Sequence, residues 1–520
     1  MKYQNIIDQM TLEDKIALCS GADFFSTKLF EKYGIPSITL MDGPHGIRKQ
    51  ITTSDHLGIN QSLPATCFPT ACLIACSWDR ELIQEMSAAI GVEALQKRVS
   101  IVLGPGCNIK RNPLCGRNFE YFSEDPYLSG ELAAGWIEGL QSTGVGASLK
   151  HYAGNNQENE RMTSNSLIDE RTLREIYLLS FEIAVKKAKP ATVMCAYNKV
   201  NNVYCSDHRY LLRDILRDEW GFDGVIVTDW GAMNDRILAF DAGLDLEMPS
   251  SKGHFDAEVI AAVHNGVLSE KRIDESLGRL LDLAFTSPIN RTPGYTYDEE
   301  QHHLLAKKIV TNSAVLLKNE TNLLPIQRGT KIALIGAMAK EPRYQGTGSS
   351  HINPTKLSSI IDGFSALELE YTYYPGYTVE DSTQDKLLAE ALKGAEKNDI
   401  AIIVAGLTEA YESEGFDRTN LAMPEGHNNL IIRVAEINPN TVVILVGGAP
   451  VEMPWLSKVK AVMLMCLPRV FMKPAGNKPS IGRGFMSVIA IMIKLVKRFS
   501  SHSGMVYLIQ VSSIRIWLPQ

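Results

Sequence analysis

The 520-residue chain reads as α/β: a TIM-like (β/α) barrel followed by a smaller, open α/β sandwich domain with a parallel sheet, incomplete at the C-terminus. Three observations predict this. From residue 37 to about 249, short apolar runs alternate with helix-period segments, the pattern of a parallel sheet long enough to curl into a barrel. "TSPINRTPGYTYD", 286–298, then interrupts that pattern with Pro, Gly and Thr and reads as a linker. Beyond it a second strand and helix series begins, with the spacing of a helix-covered open sheet.

The N-terminus, "MKYQNIIDQMTLEDK", has no apolar stretch of signal-peptide length, and Thr11 followed three positions on by Asp14 reads as the start of a helix, so the expected location is cytoplasmic. The barrel strands are "SITLMDG", "SIVLGPG", "GASLKH", "TVMCAY", "GVIVTDW" and "LDLEMP". Between them lie helical segments such as "DRELIQEMSAAIGVEAL" and "ERTLREIYLLSFEIAVKKA". In the second, Leu173, Ile176, Tyr177, Phe181, Ala184 and Val185 form a stripe that one helix face would bury. The later strands are "KIALIGAM", "LEYTYYPG", "DIAIIVAGL", "TVVILVGG" and "KAVMLMCL". The boundaries that follow are 1–288 for the barrel, 289–310 for a linker and connecting helix, 311–463 for the sandwich domain and 464–520 for a tail.

That tail has a different character. No Asp or Glu occurs after Glu452, against ten Lys and Arg, so the stretch reads as foreign to the rest of the design, in the manner of a shifted reading frame or a damaged gene, and as poorly ordered. "FMSVIAIMIKLV" is too short for a membrane span, which needs about 20 residues. A net charge of −7 gives no general attraction to nucleic acid or to an anionic membrane. Nine cysteines, odd in number and without paired short spacings, predict neither a zinc site nor a disulfide framework; Cys67, Cys72 and Cys76 read as packing. His302 and His303 are adjacent on a helix and cannot face one metal. No metal and no cofactor are expected, and the oligomeric state is not readable.

The chemistry is concentrated at the ends of the apolar runs. Asp42 closes the first, Arg111 and Arg117 follow the second, Lys150 and His151 close the third, Tyr197 the fourth, and Asp229 with Trp230 the fifth. Helix capping explains an Asp at such a place, but not a Lys-His pair and a Tyr at equivalent places. Consecutive parallel strands would bring all five tips to one face of the barrel. No nucleophile elbow is present. Many hydrogen-bonding side chains around one indole suit a polyhydroxylated ring, and Asp229 beside two cations is expected to be ionised and able to attack an anomeric carbon. A second, protonated carboxyl group is then required. The acidic cluster Glu409, Glu412, Glu414 and Asp417 is a candidate, its mutual repulsion raising one pKa, although composition alone reads it as a solvated loop.

Eight motifs in order, "MTLEDKIALCSGADFF", "DGPHGIR", "GRNFEYFSEDPYLSG", "KHYAGNNQENER", "CAYNKVN", "GVIVTDWGAM", "NSAVLLKNETNLLPI" and "ESEGFDR", resemble those of family 3 glycoside hydrolases, the β-glucosidase-like group, from about residue 8 to about 463. The resemblance implies a barrel and sandwich with the sugar pocket between them, Asp229 as nucleophile and Glu414 as general acid/base, with Glu412 the nearest rival. It also implies that Asp42, Arg117, Lys150, His151, Tyr197 and Trp230 hold the sugar, with Arg48 and Arg161 at neighbouring positions and Met194 packing beneath the ring. "QGTGSSHINP" lacks the ending of a phosphate loop and resembles the family loop that borders the sugar cleft. "KHYAGNNQ" departs from the pattern of the N-acetylglucosaminide branch, and the Asn-Pro-Ser-Gly segment and last strand expected after "VKAVML" are missing. The implied activity is that of a retaining exo-acting β-glucosidase on terminal non-reducing β-D-glucosyl residues. The alternatives are a β-xylosidase or α-L-arabinofuranosidase, and an inactive, poorly folded product of a disrupted gene.

Overall fold

The computed structural model describes residues 2–51, 60–290, 294–378 and 384–465. Five parallel strands lie side by side in chain order: β1 (Leu40–Asp42), β2 (Ile101–Leu103), β3 (Gly146–Tyr152), β4 (Thr192–Cys195) and β5 (Val225–Thr228). Every residue in them is buried, as expected for a parallel sheet covered on both faces. The sixth predicted run contributes two isolated bridges, Leu246 to Val227 and Glu247 to Ser20, rather than a ladder. Closure is completed by the N-terminal segment: Glu247 bridges Ser20, Gly21 pairs with Thr27, and Ser26 pairs with Thr39 next to β1. The barrel is therefore an incomplete relative of the eight-stranded form, sealed by an antiparallel turn of chain.

Helices follow the predicted segments. α1 (Leu12–Leu18) starts at Thr11, whose Oγ1 accepts the Asp14 N–H at 3.2 Å. α2 (Arg80–Gln96) packs on α3 (Pro126–Gln141), which packs on α4 (Leu179–Ala188). The buried stripe predicted through 173–185 is broken. A π turn over Leu173–Tyr177, with the Leu178 N–H donating to the Leu173 carbonyl, inserts one residue. That rotates the face: Leu178 takes the core position, and Ile176 is 37% exposed.

The second sheet has six strands: β6 (Val315–Asn319), β7 (Ile332–Ile335), β8 (Tyr371–Tyr374), β9 (Ile400–Gly406), β10 (Thr441–Val446) and β11 (Ala461–Met465), in the order β8-β7-β9-β10-β11-β6. The five predicted runs are all strands and all parallel; β6, from the segment "NSAVLLKNE", adds an antiparallel edge beside β11, so the sheet is mixed rather than parallel throughout. The expected tail, 464–520, falls outside the described residues beyond Met465.

The helix before β6, Glu299–Ser313, joins the two halves. His302 Nδ1 lies 2.7 Å from Glu93 Oε1 on α2, whereas His303 Nε2 lies 3.0 Å from Ser358 Oγ in the second half. The adjacent imidazoles thus point to different partners. Among the described residues no helix is long and apolar enough to cross a membrane.

Candidate active site

Strand termination places the polar groups. β1 ends at Asp42, which sits 3.6 Å from Arg48 Nη1, and β3 carries Lys150 and His151 near its end. Arg117, in the loop after β2, donates through Nε to Glu120 Oε2 at 2.8 Å, and Lys150 Nζ lies 3.3 Å from Glu120 Oε1. Glu120, not singled out in the sequence, therefore spaces two cations on one buried carboxylate. His151 has Nδ1 at 3.1 Å from the Tyr121 hydroxyl and Nε2 at 3.7 Å from Asp229 Oδ2. Burial pushes the His151 pKa well down and Arg117 and Lys150 push it further, so the ring is neutral.

Asp229 follows β5. Its Oδ1 accepts the Trp230 N–H at 2.7 Å, while Oδ2, though buried, has no hydrogen-bond partner. The Trp230 indole is fixed at its edge, donating to the Phe24 carbonyl at 2.7 Å, and Tyr197, past the end of β4, donates to the Trp230 carbonyl at 2.9 Å. The Arg161 guanidinium lies 4.9 Å from the centre of the Tyr197 ring. Met194 is buried in β4, and Arg111 is exposed, apart from the cluster.

The opposite wall comes from the second domain. After β9 the chain pairs Ser413 with Thr347, and the Glu414 N–H donates to the Thr347 carbonyl at 3.1 Å. Glu414 Oε2 accepts the Ser349 N–H at 2.8 Å, and Oε1 lies 2.7 Å from Arg161 Nη1 and 3.7 Å from Arg117 Nη1. Gly348 sits at φ +117°, and a Cβ there would overlap that of Glu414. Ser349 was legible only as part of "QGTGSS"; the glycine before it was the available signal. Glu412, the rival acid, is wholly buried and held by Arg343 Nη1 at 2.6 Å and the Gly448 N–H at 2.7 Å. It does not line the cleft. Glu409 is exposed.

Two electrostatic expectations are reversed. Burial raises the Asp229 pKa, and Arg117, Arg161 and Lys150 offset this only in part, so the carboxyl sits above its usual value rather than below it. Burial also raises Glu414, but Arg117, Arg161 and the Ser349 N–H outweigh it and hold the carboxyl far below the usual range. The acidic neighbours in sequence do not reach Glu414 as a repelling cluster; the fold supplies guanidiniums instead. The Glu414 charge is itself among the causes that raise Asp229, so the two carboxylates share one field. Burial pushes Asp42 and Glu158 up to about 7 each. Among the described residues no group of three or more His, Cys, Asp or Glu side chains is arranged to hold a metal.

This site, between a barrel and a mixed sheet, coincides with matches to two family descriptions: glycosyl hydrolase family 3 N terminal domain over residues 37–283 and glycosyl hydrolase family 3 C-terminal domain over residues 314–470. The chain belongs to glycosyl hydrolase family 3. Among relatives, it is 55% identical over 464 residues to a thermostable β-glucosidase B from Acetivibrio thermocellus, covering 88% of this chain and 62% of that protein. It is 43% identical over 479 residues to an exo-α-(1→6)-L-arabinopyranosidase from Bifidobacterium longum, covering 89% and 62%. The solved GH3 β-glucosidase of Bifidobacterium adolescentis superposes with a TM-score of 0.84 at 42% identity, over 89% of this chain and 67% of that one. The chain thus spans 62% of the length of each of the two curated relatives named above.

Proposed function

We propose that the protein is a retaining exo-acting β-glucosidase that removes terminal non-reducing β-D-glucosyl residues, with Asp229 as nucleophile and Glu414 as general acid/base. The observation that carries this reading is the buried Asp229 Oδ2, which has no hydrogen-bond partner and lies within electrostatic reach of Glu414, the carboxylate that the second domain sets against Arg161 and Arg117. Asp42, Arg48, Arg117, Lys150, His151, Arg161 and Tyr197 supply donors and acceptors for ring hydroxyls, and Trp230 an apolar face. In the first step Asp229 Oδ2 bonds to the anomeric carbon as the glycosidic C–O bond breaks, and Glu414 protonates the departing oxygen. In the second, Glu414 takes a proton from water, whose oxygen displaces Asp229. The sugar-free site holds Glu414 as the carboxylate, the form used in the second step; sugar hydroxyls that engage Arg117 and Arg161 free it to take up the proton needed for the first.

The substrate is a small or oligosaccharide β-glucoside, with no nucleic acid or membrane involved. The reading includes the domain division 1–288, 289–310, 311–463 and 464–520, and a cytoplasmic setting. A second reading, α-L-arabinoside or β-xyloside hydrolysis at the same residues, is favoured by the likeness to the arabinopyranosidase. Purified protein tested on aryl β-glucoside, β-xyloside and α-L-arabinoside reporters decides between them. Asp229→Asn should abolish turnover of the preferred reporter; near-normal rates in that variant, or no turnover of any reporter by the unaltered chain, would remove the proposal.

A further inference from the structure

Three residues beyond Glu414, both oxygens of Asp417 sit on barrel amides. Oδ1 accepts from Gly116 at 3.0 Å and Glu158 at 2.9 Å, and Oδ2 from Glu158 and Asn159, each at 3.0 Å. The Asp417 N–H donates in return to Asn159 Oδ1 at 3.2 Å. These amides belong to the two loops that carry the guanidiniums of Glu414: Gly116 directly precedes Arg117, and Asn159 lies two positions before Arg161. One carboxylate therefore gathers three loops from two domains. The neighbouring contacts add to this seat. The Gly415 N–H donates to Glu158 Oε2 at 2.9 Å and the Arg418 N–H to the Leu114 carbonyl at 2.9 Å. A Cβ on Gly116 would overlap the carbonyl oxygens of Phe416 and Ser413.

We propose that Asp417 is a positioning residue for proton transfer: it seats the Glu414 loop on the barrel and sets Arg117 and Arg161 around it. The inference rests on the acid/base reading of Glu414. Displacement of a reacting group by about 1 Å costs about 100-fold in rate, and only steps that need the proton donor or acceptor should show it. Asp417→Ala should lower kcat/KM about 100-fold on phenyl β-glucoside, a poor leaving group, and less than about 5-fold on 2,4-dinitrophenyl β-glucoside, whose leaving group departs without protonation. Azide should accelerate turnover of the second substrate in the variant, because it attacks the anomeric carbon and displaces Asp229 with no proton to give up. Asp417→Asn, which keeps one acceptor oxygen, should fall between, and it carries the test if the alanine variant does not fold. Amide hydrogen exchange at 116, 158 and 159 should quicken in both variants.

Equal losses on the two substrates, no loss on either, or unchanged exchange would overturn the positioning role. Turnover of the dinitrophenyl substrate by the unaltered chain tests the glucosidase reading separately, and the exchange measurement reads the clamp whatever the substrate proves to be.

Discussion

Arg161 offers the sharpest check on the electrostatics of the cleft. Its Nη1 lies 2.7 Å from Glu414 Oε1 and 2.8 Å from Glu158 Oε2, so one cation pairs with two acids. With charge centres about 4 Å apart and an effective dielectric of about 20, such a pair is worth about 4 kcal/mol. The charge is shared with Glu158 and water enters when it is removed, so about half of that, roughly 2 kcal/mol, is the expected effect on Glu414, or about 1.5 pH units. The sign follows from the charge: without the cation Glu414 keeps its proton to higher pH. Arg161→Met preserves much of the apolar stem over Tyr197. The assay is kcat against pH for an aryl β-glucoside with a poor leaving group, where the falling alkaline limb reports loss of the proton from the acid in the substrate complex, the state in which Glu414 takes it up. That limb should move upward by about 1.5 pH units, while the maximum drops through lost sugar contacts and Arg161→Lys leaves the limb near its original place. A limb that stays fixed in the methionine variant, or moves down, would refute the assignment of Glu414 as the group held by Arg161.

Two further outcomes follow from burial. Asp42 is pushed up to about 7 by desolvation, against the pull of Lys150 and Arg48, and ring hydroxyls bind its ionised form; glucose affinity measured by calorimetry should therefore fall as pH drops through about 7, and Asp42→Asn should bind weakly with no such trend. On the barrel wall, Leu178→Ala should cost about 2–5 kcal/mol in denaturant unfolding, whereas Ile176→Ser should change stability by less than about 0.5 kcal/mol; the reverse ranking would contradict the π turn before α4.

The parts of this fold that were legible in the sequence are those written in local pattern. A strand buried on both faces announces itself as a short apolar run, and a polar residue closing such a run marks the tip, which is how Asp42, Lys150, His151, Tyr197 and Asp229 come together. Barrel closure was not legible, because Ser20, Gly21 and Thr39 each contribute single bridges that leave no apolar run. Nor was the π turn, since one inserted residue alters hydrogen bonding without altering composition. The antiparallel β6 lay inside a motif whose strand character had no partner in view until β11 was placed beside it.

The charge states of the two carboxyls mark the limit most clearly, because a pKa depends on neighbours in space. Glu412 and Asp417 stand within three positions of Glu414 and should, by proximity along the chain, raise it. Each is instead taken up elsewhere, Glu412 by Arg343 and Asp417 by barrel amides, while Arg117 and Arg161 arrive from the barrel loops after β2 and β3. Asp229 shows the same effect in reverse, since its cations are present as expected but stand in a site buried deeply enough for desolvation to outweigh them. Position at a strand end nominated Asp229, whereas Glu414 was nominated only by the family resemblance. In which direction each pKa is displaced is decided by the docking of one domain on the other, and that docking is what the Arg161 and Asp417 substitutions perturb.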